Sequence, residues 1–265
     1  MANNSLFHGK WALVTGASAG IGVALARELA KRGAKLILTA RRADRLQEFA
    51  AELKAAGTET RIVAADLNDP AAPQQIYDAT EGAGLTVDIL INNAGLGQFG
   101  AFAEGSVEQE LSQVRVNCEA VVRLSRLFIP RMVERRRGWM LVVASTASYQ
   151  PIPYLTTYAA TKVFDRFFAQ ALAAEVANKG VIVTTLCPGP TESEFFKVSG
   201  SPTFDRGRQS AQEVAHLGIR GLERGKLTVI PYFAGHAGAF VVRLVPVGLI
   251  VRTIERMIRP KKKGN

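Results

Sequence analysis

A doubly wound α/β fold, with a parallel sheet of about seven strands and helices on both faces, is what this sequence predicts, on three observations. Short apolar runs alternate with helix-period stretches along nearly the whole chain. A glycine-rich turn, Thr15-Gly-Ala-Ser-Ala-Gly-Ile-Gly22, joins the first apolar run to the first helical stretch. The length of 265 residues suits one sizeable α/β domain and is short for two.

The strands are expected at 11–15, 35–40, 61–65, 89–92, 140–145, 181–186 and 227–230. They read as continuous apolar runs because a parallel sheet is covered on both faces. In the first helix Ile21, Leu25 and Leu29 recur at four-residue steps toward the sheet, and Gly33 ends it. Residues 1–230 form the main domain, and 231–265 an apolar and basic helical extension.

Hydrophobic residues make up 48% and charged residues 21%, with no long low-complexity tract, so the chain is globular. Cys118 and Cys187 stand far apart, and His8, His216 and His236 form no cluster, so neither a disulfide nor a metal site is expected. The N-terminus lacks a charged stretch followed by an apolar run, so it does not read as a secretory signal, and a reducing cytoplasm fits. The net charge of +10 is uneven. Arg131, Arg135, Arg136 and Arg137 read as a solvated helix end, where cations suit the dipole. No nucleic-acid motif accompanies them, so no nucleic-acid partner is expected.

Ligands of such sheets bind beyond the carboxyl ends of the strands. After the first strand, Gly16, Gly20 and Gly22, with Ile21 between the last two, permit a tight bend and bring a helix N-terminus up to a pyrophosphate. After the second strand, Arg41, helped by Arg42 and by Ser18, can hold a ribose 2′-phosphate, which favours NADP(H) over NAD(H). Alternatively both arginines are solvated at the head of the next helix. Asp66 sits where an acceptor can meet the adenine amino group, or can cap the helix after Pro70. Asn92-Asn93-Ala94-Gly95 suits close backbone approach to a ribose, and a plain turn uses similar residues.

Tyr158 and Lys162 stand at i, i+4, on one helix face, where a fixed positive charge stabilises a phenolate and makes tyrosine a usable acid or base. Ser145 ends the fifth predicted strand, from which its hydroxyl can point into the cleft; Thr146 and Ser148 are nearby rivals. Asn117 falls in a helical pattern, where residue propensity alone reads it as a surface position.

These residues together resemble the short-chain dehydrogenase/reductase family in its single-domain, Rossmann-fold form. The match covers residues 9–230 and rests on the glycine turn, Asp66, Asn92-Asn-Ala-Gly95, Asn117, Ser145, Tyr158-Ala-Ala-Thr-Lys162 and Pro188-Gly189. The resemblance implies that Tyr158 is the general acid-base, that Lys162 supports its phenolate and holds the nicotinamide ribose, that Ser145 bonds the substrate oxygen, and that Asn117 supports a proton relay. Ser193 stands where the family often has threonine, and Thr191 can take over the carboxamide. A homo-oligomer, dimer or tetramer, is expected.

A mobile lid is expected over 191–208. Its Phe195, Phe196 and Phe204, with Phe99, Phe102, Tyr149 and Tyr154, suggest an apolar ketone, aldehyde or alcohol substrate, such as a steroid, fatty-acyl or retinoid-like compound. The reading is a reductase or the reverse dehydrogenase. Its alternatives are a non-catalytic dinucleotide-binding regulator, or an epimerase or dehydratase on the same fold. Near the C-terminus Val247, Ile250, Val251, Ile254, Met257 and Ile258 make one apolar helical face, and Arg252, Arg256 and Arg259 the other, with Arg243 before them and Lys261, Lys262 and Lys263 after. This fits peripheral attachment to an anionic membrane, or a helix packed on the domain or on a partner subunit.

Overall fold

The structure is a computed structural model that describes residues 5–201, 208–242 and 244–260; Phe204, Arg243 and Lys261 to Lys263 of the sequence reading lie outside the described residues. The strands are β1 (Trp11–Thr15), β2 (Lys35–Thr39), β3 (Thr60–Ile62), β4 (Ile89–Asn92), β5 (Gly138–Val143), β6 (Val181–Leu186) and β7 (Thr228–Val229). They pair in parallel in the order β3-β2-β1-β4-β5-β6-β7, the Rossmann-type arrangement expected. The order reverses between β1 and β4, the switch point at which such sheets bind ligands.

The helices are α1 (Gly20–Lys31), α2 (Ala43–Ala55), α3 (Ala72–Asp78), α4 (Val107–Val114), α5 (Ala120–Glu134), α6 (Thr156–Val176), α7 (Phe195–Ser199), α8 (Ala211–Glu223), α9 (Phe233–Val241) and α10 (Val247–Ile258). Alternate residues of each strand feed two cores. Ala12 and Val14 of β1 join α1, α2 and α8 on one face. Trp11 and Leu13 join α3, α5 and α6 on the other. With both faces covered, a strand has no solvent-facing side for polar residues to occupy, which is why the strands show no apolar-polar alternation. In α1, Leu25 and Leu29 are fully buried. The chain then leaves the helix through Gly33 at φ +77°, a left-handed conformation that glycine adopts without strain.

β1, β4 and β6 occupy the expected residues; the other boundaries moved for local reasons. β5 ends at Val143 rather than at Ser145, because Ser145 leaves the ladder to cap a short 3-10 turn, its Oγ accepting from Ala147 N at 3.1 Å. β3 stops at Ile62, although Val63 N and Ala65 N still donate to Leu38 and Ala40 across the gap. β7 keeps two paired residues at the sheet edge. α5 continues through Pro130 to Glu134, and the arginines beyond are locally paired: Arg131 with Glu134, Arg135 with Glu81 and Arg137 with Asp88. No helix among the described residues is long and apolar enough to cross a membrane.

Candidate active site

A cleft of ≈ 630 Å³ opens beyond the carboxyl ends of the central strands, and every catalytic and cofactor-binding residue expected from the sequence lines it except Asn117. Its inner wall is the turn after β1. Gly16 and Gly20 have φ of +66° and +54°. Gly22 is required by space instead, since a Cβ there would stand 2.2 Å from the Gly16 carbonyl oxygen. So tight a bend sets Gly20, Ile21 and Gly22, the first turn of α1, against the cleft, where a helix N-terminus suits an anionic ligand. Thr15 locks this turn to the one after β4: its Oγ1 accepts from Asn93 N and Ala94 N, each at 2.9 Å, and its carbonyl accepts from Asn93 Nδ2 at 2.8 Å. Together these contacts fix the two turns against each other at the cleft.

At one end of the cleft Ser18 is held by Arg42, whose Nε and Nη2 donate to its Oγ at 3.2 and 3.1 Å. Arg41 lies exposed on the same rim. Arg42 Nη1 and Arg45 Nη1 each donate to one oxygen of Glu194, at 2.9 and 2.7 Å. The hydrogen bonds from Arg45 and Arg42 hold the Glu194 carboxyl below the usual carboxylate range. Asp66 faces the cleft and turns its own loop, its Oδ1 accepting from Asn68 N. It does not cap the helix after Pro70; Asp69 accepts from Ala71 N there.

The other end of the cleft is built on α6. Lys162 is 4% exposed, and its Nζ donates to Val143 O and to Asp165 Oδ2, both at 2.9 Å. An ammonium has three N–H donors, so one remains for the cleft. Nζ lies 6.0 Å from the centre of the Tyr158 ring. A Cβ on Gly95 would be 3.4 Å from both Lys162 Nζ and Asn117 Oδ1, so the three converge. Burial pushes the Lys162 ammonium down, but attraction to Asp165 and Tyr158 reverses this and leaves it raised. Burial pushes the Asp165 carboxyl up against the pull of Lys162.

Asn117 is fully buried, not at the surface as propensity suggested. It sits in a π-helical turn between α4 and α5, a local widening that often marks functional positions. Its amide is satisfied: Oδ1 accepts from Leu96 N at 2.8 Å, and Nδ2 donates to Leu96 O at 2.9 Å and to Thr161 Oγ1 at 2.8 Å. Pairing, rather than solvation, resolves the unfavourable amide. Ser145 lies at the cleft with its Oγ near Pro188 O at 3.4 Å, and Thr146 lines it too, whereas Ser148 is buried behind, donating to Ser145 O.

Of the aromatic residues expected around the substrate, Phe99, Phe195 and Phe196 line the cleft; Phe102, Tyr149 and Tyr154 do not. Phe102 is exposed, and Tyr149 lies under the Arg166 guanidinium. Tyr154 instead anchors α10, its hydroxyl donating to Glu255 Oε1 at 2.6 Å while Arg259 grips both oxygens of the same carboxylate. That anchor lays Ile254, Met257 and Ile258 along the cleft as an apolar outer wall. Sequence reasoning found the apolar stripe of α10 but not the surface it faces. It also missed Asp165, which the Lys-x-x-Asp spacing could have signalled, and Arg45, which follows Arg42 by three residues. Glu194 had no sequence signal at all.

A family model for short chain dehydrogenase matches residues 10–202 of this chain. The very-long-chain 3-oxoacyl-CoA reductase of Anas platyrhynchos is 32% identical over 255 residues, 92% of this chain and 80% of that protein. A short-chain dehydrogenase from Sphingobium yanoikuyae, solved in complex with NADPH, is similar with a TM-score of 0.81 and 28% identity over 97% of this chain and 98% of that one. A short-chain dehydrogenase/reductase from Burkholderia phymatum in complex with NAD has the same TM-score, 0.81, at 26% identity over 98% of each chain.

Proposed function

The chain belongs to the short-chain dehydrogenase/reductase family, and from that premise we propose that it is an NADP(H)-linked enzyme interconverting an apolar ketone or aldehyde and the corresponding alcohol, with Tyr158 as general acid-base. It is an oxidoreductase, with a nicotinamide dinucleotide as cofactor. The observation that carries the finer reading is the buried convergence of Lys162 and Asn117 on Gly95 beside Tyr158, at the inner end of an apolar-walled cleft.

When bound, the dinucleotide supplies or accepts the hydride. The chain does the rest. Gly16, Gly20, Ile21 and Gly22 receive the pyrophosphate; Ser18, Arg41 and Arg42 the 2′-phosphate; Asp66 the adenine. Asn93, Ala94 and Gly95 leave room for the nicotinamide ribose, toward which Lys162 keeps its third N–H. Pro188, Gly189 and Thr191 flank the carboxamide. Ser145 donates to the carbonyl oxygen, and Tyr158 gives its hydroxyl proton to that oxygen as negative charge develops. Asn117 holds the backbone at Leu96 and lies on the route by which Tyr158 regains a proton.

The wall made by Phe99, Phe195, Ile254, Met257 and Ile258 suits a ketone with an aliphatic tail. Because a similar curated protein is named for 3-oxoacyl-CoA reduction, 3-oxoacyl thioesters are the substrate class of choice. In a chain-length series followed by NADPH absorbance, each methylene buried on that wall should raise kcat/KM by up to about fourfold, the equivalent of about 0.8 kcal/mol. A flat response to chain length, or turnover confined to small polar carbonyls, would reject the apolar reading.

The same extension supports peripheral membrane attachment. Phe240, Leu244, Val247 and Leu249 are exposed, as are Arg252 and Arg256, while the acid of this helix, Glu255, is tied back to Tyr154 and Arg259. What faces outward is therefore apolar and cationic, which matches an anionic lipid surface. In vesicle sedimentation the protein should partition to anionic rather than neutral lipid. Arg252→Glu with Arg256→Glu should reduce that by more than tenfold, since each basic residue contributes about 1 kcal/mol. Equal partitioning to both lipids would defeat the assignment.

A further inference from the structure

The segment after Gly189 is clamped at its base and lies along the cleft, touching both ends of it. Thr191 bridges Gln209, with Glu192 N donating to Gln209 O and Gln209 N to Pro190 O, each at 2.9 Å. Beyond the base, Ser193 covers the glycine turn so closely that a Cβ on Gly20 would be 2.9 Å from Ser193 Cβ. Glu194 then bridges Arg42 and Arg45, and Phe195 next to it packs on Tyr158 with ring centres 5.1 Å apart. Phe195 also presses on Gly97, where a Cβ would meet its ring at 2.5 Å.

Three consecutive side chains thus contact the pyrophosphate cradle, the arginine pair and the residue assigned as acid-base. The group on the arginines is an anion. Arg42 and Arg45 give Glu194 one N–H each, and Ser18 holds the other face of Arg42. A carboxylate bridging two guanidinium groups uses the donors that a phosphate monoester would use, with one charge in place of nearly two and two acceptor oxygens in place of three. Arg42, Arg45 and Glu194 are each about two-fifths exposed, at 38%, 42% and 43%, so the pairing is weak enough to exchange.

Resting on the NADP(H) reading above, we propose that Glu194 is an internal stand-in for the 2′-phosphate and a determinant of cofactor choice. A cofactor with the phosphate displaces Glu194 from Arg42 and Arg45, and through its neighbour frees Phe195 from Tyr158. A cofactor without it leaves both contacts in place. The substrate side of the cleft is in this way informed of which dinucleotide has bound.

The test is direct binding, independent of turnover. NADP+ and NAD+ are titrated calorimetrically into the parent, Glu194→Gln and Glu194→Ala; the site is exposed, so both variants should fold. The parent should bind NADP+ more tightly than NAD+. Each variant should tighten NADP+ by roughly three- to tenfold, the loss of two exposed ion pairs, with NAD+ unchanged within about twofold. Hydrogen exchange over 193–196 in the parent should be faster with saturating NADP+ than with saturating NAD+. If the parent shows no preference, the reading of the arginine pocket fails and this inference falls with it. If the preference is there but the variants bind NADP+ no more tightly than the parent, or exchange is equal with both cofactors, the stand-in role is wrong while the NADP(H) reading survives.

Discussion

Replacing Tyr158 by phenylalanine is expected to lower kcat for carbonyl reduction by roughly 10²–10⁴-fold, the usual contribution of a positioned acid-base group. NADP+ affinity should stay within a few-fold of the parent. The substitution removes one oxygen and leaves the ring, whose contacts with Phe195 and with the Lys162 ammonium are made by its face and edge rather than by the hydroxyl. The fold should therefore be untouched, since Tyr158 is half-buried and its ring is kept. Steady-state rates beside a cofactor titration make the check. A phenylalanine variant as active as the parent would rule out the acid-base role.

The largest effect on stability is expected from Lys162→Met. Lys162 and Asp165 are a buried pair, with side chains 6% and 1% exposed, and Asp165 Oδ1 has no hydrogen-bond partner. Removing the ammonium strands the carboxylate, a change that costs about 3–5 kcal/mol at neutral pH. The pH dependence has a definite sign. Burial already raises the folded-state pKa of Asp165 above the ordinary value even with Lys162 present, and without Lys162 nothing opposes it. A raised carboxyl pKa contributes stability below the unfolded value of about 3.9 and loses it as pH rises through the folded value. The deficit of Lys162→Met against the parent should thus be small near pH ~4 and grow toward neutrality. Adding Asp165→Asn should recover most of it. Thermal denaturation across pH decides this: a deficit independent of pH, or one the second substitution does not repair, would mean that the pair is not a buried ion pair.

Much of the fold was legible because its determinants are local. The residues of β1, β4 and β6 are mostly apolar runs with only Thr15, Asn92, Thr184 and Thr185 breaking them, and the structure keeps their limits. β5 was misjudged at its end because Ser145 reads equally well as a last strand residue and as a cap, and the cap won. Asn117 shows the opposite limit. Propensity placed its amide at the surface, yet Leu96 and Thr161, brought from two other parts of the chain, satisfy it in the core. Tyr154 and Tyr149 were grouped with substrate-facing aromatics because composition cannot say which way a ring points.

The sequence by itself determined the doubly wound order, the glycine turn and the Tyr158 and Lys162 pairing. These depend on helix period, strand period and the left-handed freedom of Gly16 and Gly20, all set within a few residues. Only the tertiary structure decided what the arginines hold, what neutralises Lys162 and what walls the outer cleft. Glu194 reaches Arg42 and Arg45 across separations of 152 and 149 residues, and Glu255 reaches Tyr154 across 101. Asp165 is near Lys162 in sequence, but its burial comes from the elements packed over α6. Contacts of that kind are set by how the layers stack, and no short window of sequence contains them.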